Sequence, residues 1–236
     1  MGKPLIVKTG ATFDSIKKEY GDFDDFIVKN MGLARKDVFV WPVYQKLPAP
    51  EWEDVSAVII TGSHSMVTDN EDWSLDLCTW VKSNRWRNIP TLGICYGHQL
   101  IARAFGGEVG YHPGGKELGT VKIALTEEGI RDPLLGVLPE VFEGHVTHAQ
   151  TVWELPPRAR ILARNDFERH QAFVIDDCIW GVQFHPEFNA GITLGYLEEQ
   201  KTGILEGGRD FASVQQTVRE HLYGRMLLER FLELSL

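Results

Sequence analysis

Short uninterrupted apolar runs alternate with stretches whose apolar positions recur every three or four residues through the first hundred positions of the chain. Runs at 5–7, 38–40 and 57–61 have the texture of strands buried on both faces, whereas 14–29 and 72–85 carry helical spacing. A further apolar run closes at Gly93, and 97–105 reads as a helix stopped by Gly106-Gly107. This is the βαβ rhythm of an α/β protein with a mostly parallel central sheet and helices on both faces. Beyond Gly107 the texture changes to short β-like runs at 119–125, 160–164, 171–175 and 179–184, separated by Gly, Pro and Asp. These predict mixed or antiparallel strands added to the same domain. The last stretch, 211–234, spaces Val214, Val218, Leu222 and Phe231 as a terminal amphipathic helix would. With no internal repeat, low-complexity tract or long linker, the 236 residues are expected to form one domain.

Composition narrows the class of function. Hydrophobic residues make up 43% of the chain, ample for a core, and the formal net charge of −9 disfavours nucleic acid or an anionic membrane as the principal partner. Three cysteines, Cys78, Cys95 and Cys178, show no paired spacing, so a reducing cytoplasm is the expected setting. No run of about 18 apolar residues predicts a membrane span.

The chemistry concentrates in two short segments. Gly93-Ile94-Cys95-Tyr96-Gly97 follows an apolar run and precedes helical spacing, the form of a nucleophile elbow with cysteine at its tip. A thiolate there benefits from the unpaired N–H groups and dipole of the following helix. Ninety positions on, His185-Pro186-Glu187 closes a strand-like run whose period of two aims His185 and Glu187 at one face. Cys95 is thus the candidate nucleophile, His185 the proton carrier and Glu187 the carboxylate that orients it. The oxyanion formed on attack needs fixed donors. The Tyr96 backbone N–H is one candidate, and Gly62 or Ser63, in the loop after the apolar run 58–60, would offer the other.

These residues carry a resemblance. The Gly-x-Cys-x-Gly-x-Gln elbow at Gly93 to Gln99 and the Gly-Val-Gln-Phe-His-Pro-Glu-Phe segment at Gly181 to Phe188 resemble a class I glutamine amidotransferase domain of the GMP-synthetase-like, stand-alone kind. The likeness spans about 5–188, leaving 190–236 as a C-terminal helical extension. It implies a flavodoxin-like sheet and hydrolysis of the glutamine side-chain amide through a γ-glutamyl thioester, without a cofactor or metal. By the same resemblance Gln99 touches the bound substrate, and Thr147-His148-Ala149-Gln150 corresponds to a Ser-His-Gly-Asp turn that holds its amino-acid end. Two departures bear on specificity: Thr61-Gly62-Ser63 replaces the commoner Pro-Gly-Gly, and Ala149-Gln150 replaces Gly-Asp. The synthase regions of a full GMP synthetase are not in the sequence, so any ammonia acceptor would be a separate protein.

Three functions follow: a glutaminase that passes ammonia to a synthase, a self-sufficient hydrolase of γ-glutamyl peptides or conjugates, and a catalytically idle binding relative. The glutaminase is the leading expectation, and the intact Cys95, His185 and Glu187 speak against the idle relative. Other reactive residues read as structural. Cys78 and Cys178 lie in apolar contexts, His98 serves the elbow helix, and His64, His112, His145 and His170 are too scattered for a metal site. Asp22, Asp24 and Asp25 read as a solvated acidic face. Tyr96, Tyr111 and Phe188 fall near the expected pocket mouth, with Tyr96 the one placed to touch substrate.

Overall fold

The structure is a computed structural model that describes residues 2–84 and 87–235. Eleven strands and nine α-helices are described. The strands are β1 Lys3–Lys8, β2 Phe39–Pro42, β3 Val55–Ile60, β4 Thr91–Ile94, β5 Glu108–Tyr111, β6 Glu117–Leu125, β7 Val141–His148, β8 Gln150–Glu154, β9 Arg160–Arg164, β10 Ala172–Ile175 and β11 Ile179–Val182. The helices are α1 Asp14–Tyr20, α2 Phe23–Asn30, α3 Asp72–Ser83, α4 Tyr96–Ala104, α5 Glu127–Arg131, α6 Ala190–Glu199, α7 Lys201–Glu206, α8 Phe211–Gln215 and α9 Tyr223–Glu233. Nine strands form one sheet in the order β2-β1-β3-β4-β11-β10-β9-β6-β7, and β5 pairs separately with β8. The first five strands of that order run parallel and the remaining four are added antiparallel.

Both faces of the parallel half are covered, which explains its continuous apolar runs. Alternate residues point to opposite sides: Leu5, Val7, Val58 and Ile60 pack with Leu77 of α3 and Leu100 of α4, while Ile6, Ala57 and Ile59 share a core with Ile27 of α2 and Leu227 and Phe231 of α9. None of the helices is long and apolar enough to cross a membrane among the described residues.

Three expectations change. The helix anticipated over 14–29 is two, because Gly21 at φ 95° ends α1 and Asp22 caps α2, accepting from the Phe23 N–H in a capping box with Asp25. The same contacts correct the solvated acidic face. Asp22 and Asp24 are buried, paired with Lys8 at 2.8 and 2.7 Å respectively, and Arg35 closes on Asp24. The single helix anticipated over 211–234 is likewise split, since the segment between α8 and α9 bonds to β6: the Thr120 N–H donates to the Thr217 hydroxyl and the Arg219 N–H to the Thr120 hydroxyl. α3 ends at Ser83, and the last anticipated residue of that helix, Arg85, lies outside the described residues.

The register of β11 positions the site. β11 lies beside β4 in parallel, with Gly181 opposite Gly93 and Val182 opposite Ile94, so the residues that leave each strand emerge side by side. The Cys95 N–H donates to the Val182 carbonyl at 2.8 Å and the His185 N–H to the His145 carbonyl of β7 at 2.8 Å. On the other flank β3 pairs with β4, placing the loop after Ile60 at the same edge. Ligand sites of α/β sheets open there, at the carboxyl ends of the strands.

Candidate active site

Cys95 occupies a backbone conformation of φ 51° and ψ −96°, between β4 and α4. Non-glycine residues hold such angles only where surrounding contacts enforce them. Here two close approaches do so. A Cβ on Gly93 would stand 2.4 Å from the Gly97 carbonyl oxygen, and one on Gly97 would stand 2.5 Å from that of Ile60. We therefore expect Gly97→Ala, in which a backbone oxygen rather than a flexible side chain must give way, to lower stability by about 1–3 kcal/mol. Thermal unfolding of the variant beside wild type checks this, and an unchanged midpoint would contradict the packing argument.

Across the cleft, His185 and Glu187 are buried and joined by a bond of 2.8 Å from the imidazole Nδ1 to the carboxylate Oε1. Burial works against an imidazolium, but the charges of Glu187 and Cys95 outweigh it and push His185 up to about 10. The other ring nitrogen, Nε2, has no hydrogen-bond partner among the described residues. Phe188 stacks on the ring at 4.1 Å between centroids, and the Asn30 side chain donates to the Glu187 backbone carbonyl at 3.0 Å, so the ring and the main chain that carries the carboxylate are each held from outside the pair. Gly62 presses on the same ring: a Cβ there would come within 2.9 Å of the His185 Cε1.

Cys95 and His185 line a pocket of about 270 Å³ together with Ser63, Thr147 and His148. Phe13, Phe23, Met66 and Tyr196 form an apolar wall, and Lys116 and Gln200 stand toward the solvent side. His148 is fixed through both nitrogens, donating to Glu117 at 2.9 Å and to the Gln150 carbonyl at 3.0 Å. Burial opposes charge on this ring, but the bond to Glu117 prevails and raises its pKa above the ordinary histidine value.

The anticipated residues are thus brought together unequally. Cys95, His185, Ser63, Thr147 and His148 meet at the pocket, with Gly62 and Glu187 immediately behind His185. The Tyr96 N–H stands at the first position of α4, where helical donors lack a partner within the helix. The Tyr96 side chain turns into the core, where its hydroxyl donates to Ser74 at 2.6 Å and its ring lies against Trp73, so it is not placed to touch substrate. Gln99 lies outside the pocket lining, its amide nitrogen given to the Gln150 carbonyl and the Gln183 side chain, both at 2.9 Å. Tyr111 is exposed on the separate two-stranded sheet. Cys95, at the tip of the elbow, is buried, with 7% exposed. Lys116, Gln200, Phe13 and Met66 were not singled out in the sequence, since none belongs to a motif and each reaches the pocket from a different segment. No group of three or more His, Cys, Asp or Glu could hold a metal ion among the described residues.

Comparison with known proteins shows which family the chain belongs to. A family model described as class-I glutamine amidotransferase matches residues 18–200. Over 229 residues the chain is 31% identical to γ-glutamyl peptidase 4 of Arabidopsis thaliana, covering 89% of this chain and 86% of that protein. Over 102 residues it is 44% identical to one subunit of the glutamine-hydrolysing GMP synthase of Pyrococcus abyssi, which covers 42% of this chain and 52% of that one. A crystal structure of a glutamine amidotransferase from Thermotoga maritima shares the fold at a TM-score of 0.78 and 19% identity, over 100% of this chain and 98% of that one. With the family model spanning most of its length and a relative 31% identical over 89% of the chain, the chain belongs to the class-I glutamine amidotransferase family.

Proposed function

We propose that the protein hydrolyses the γ-glutamyl amide bond of peptides or conjugates, with Cys95 as nucleophile. The observation that carries this reading is the pocket that holds the sulfur: with about 270 Å³ of space, apolar Phe13, Phe23, Met66 and Tyr196 in its lining and the exposed Lys116 at its edge, it gives a leaving group larger than ammonia both room and a charge to meet. The likeness to γ-glutamyl peptidase 4 over 89% of the chain supports the same choice. It favours the self-sufficient hydrolase over the glutaminase that the sequence alone placed first.

The Cys95 thiolate attacks the γ-carbonyl carbon, forming the C–S bond and driving the carbonyl electron pair onto oxygen. Backbone N–H groups of Tyr96 and of the Gly62-Ser63 loop receive that charge. The imidazolium of His185 gives its Nε2 proton to the leaving nitrogen as the C–N bond breaks. Acylation also removes the charge on sulfur that helped hold the proton on His185. The neutral ring then takes a proton from water, whose oxygen attacks the thioester, and glutamate leaves as the C–S bond breaks.

Glutamate release from a γ-glutamyl dipeptide and from glutamine, with Cys95→Ala as the blank, tests the proposal. A higher kcat/KM for the dipeptide is expected; a preference for glutamine would replace this reading with the second. That second reading, ammonia supply to a separate synthase, is favoured by the 44% identity to the GMP synthase subunit. Lys116 provides a further check, because its ammonium is held at 2.9 Å by Gln200, whose amide in turn donates to Thr147 at 2.8 Å. Lys116→Gln is expected to raise KM for γ-glutamyl-glycine by about threefold to tenfold with little change in kcat, the size of an exposed charge contact. An unchanged KM would take Lys116 out of substrate recognition.

A further inference from the structure

The loop after β3 carries a set of hydroxyl contacts that the chemistry above does not use. Gly62 and Ser63 share one peptide group, whose carbonyl and N–H point in opposite directions. The Gly62 carbonyl oxygen lies 2.9 Å from the Thr9 hydroxyl and 2.9 Å from the Thr61 hydroxyl. Those two hydroxyls stand 3.0 Å apart, and the Thr9 N–H donates to the Thr61 hydroxyl at 3.1 Å. Both threonines are fully buried. The Ser63 side chain is tied to the same strand end, donating to the Thr9 carbonyl at 2.9 Å and accepting from the Ser65 N–H at 3.1 Å. The Ser63 N–H has no acceptor among the described residues, although Ser63 lines the pocket beside Cys95.

We infer that Thr9 and Thr61 are positioning residues for catalysis: together they clamp the Gly62 carbonyl so that the Ser63 N–H stays turned toward the reacting carbon as a permanently set oxyanion donor. Reversing this peptide would carry its carbonyl away from two buried hydroxyls; the Thr9 hydroxyl would keep only the Thr61 carbonyl at 3.0 Å as acceptor and the Thr61 hydroxyl only that of Thr9, so each bond lost costs about 0.5–1.5 kcal/mol. The clamp also gives Ser63 a purpose where a second glycine would leave the loop free to turn, since its hydroxyl adds a third tie to the strand end after β1. A hole held in this way needs no partner protein to complete it. The inference concerns the acyl-transfer site itself, and applies equally to glutamine and to a γ-glutamyl peptide.

The test separates the clamp from the choice of substrate. Thr9→Val and Thr61→Val remove one hydroxyl each at nearly constant volume, and Thr9→Ser and Thr61→Ser restore it. Cys95 is alkylated with iodoacetamide in the presence of increasing 5-oxopentanoate, a chain of the same length without the amine that would close a glutamate semialdehyde into a ring. Its aldehyde carbon adds the Cys95 sulfur, and its oxygen becomes the oxyanion without any bond to a leaving group being broken. In wild type the aldehyde should protect Cys95. In each valine variant the protecting concentration should rise about tenfold or more, with the alkylation rate in the absence of aldehyde unchanged and protection recovered in the serine variants. For whichever substrate wild type turns over, kcat should fall about 10- to 100-fold with KM steady, part of the effect of losing a whole donor. Absence of aldehyde protection in wild type, equal protection in the valine variants, or a rise of kcat in them would overturn the clamp. Protection without turnover of either substrate would instead overturn the proposed hydrolysis while leaving the clamp supported.

Discussion

Replacing Cys95 with alanine is expected to lower glutamate release by about 10⁴-fold or more, since it removes the sulfur that forms the acyl intermediate. The same position separates chemistry from stability. Cys95 is held at φ 51°, so alanine keeps the backbone strain while removing the sulfur, whereas glycine removes both. Cys95→Gly should therefore be as inactive as Cys95→Ala yet more stable by about 1 kcal/mol, the low end of what such a conformation stores. Parallel activity assays and thermal melts of the two variants make the comparison. Glutamate release by either variant at a rate near that of wild type, measured against an enzyme-free control, would exclude Cys95 as the nucleophile, and a less stable glycine variant would show that the elbow carries no strain.

This coupling of a strained residue to rigid neighbours is what made the site legible before the fold was seen. Gly93, Cys95 and Gly97 are legible because sterics leave few alternatives: the strand, turn and helix approach so closely that a Cβ at either flanking position meets a carbonyl oxygen. His185 and Glu187 are legible because a period of two fixes their face. The parallel half of the sheet is likewise written in its apolar runs, since a strand covered on both faces needs them. Elsewhere tertiary contacts override local pattern. β7 buries His148 on the face of Val146 and His145 on the opposite face, so neither alternation reads as apolar, and α6 contains Gly191 and Gly195, which weaken any helical signal. Gln99 sits within the strongest motif of the chain yet faces away from the pocket, because its amide has two buried acceptors to serve. Conversely, Lys116 and Gln200 reach the pocket from segments 84 residues apart, a meeting that no local pattern encodes.

Glu187→Gln tests the remaining electrostatic step, and its largest signature is in pH dependence. The glutamine keeps size and can still accept from the His185 Nδ1–H, but it removes the first of the charges that hold the imidazolium against burial. In wild type that proton persists up to about 10, so the acid that serves the leaving nitrogen should be retained well into the alkaline range. In the variant the alkaline limb of kcat should move to lower pH, and kcat at its optimum should fall by about 10²- to 10⁴-fold. Stability should follow the same proton. Because folding raises the His185 pKa from about 6.5, the stabilisation is complete below that pH and is lost as the pH climbs through the folded-state value. The gap in stability between wild type and Glu187→Gln should accordingly be widest below about pH 6.5 and narrow toward pH 10. Denaturant titrations at a series of pH values measure it. A gap independent of pH would mean that Glu187 supports His185 by shape alone, and an unmoved alkaline limb would mean that the proton governing turnover is carried elsewhere.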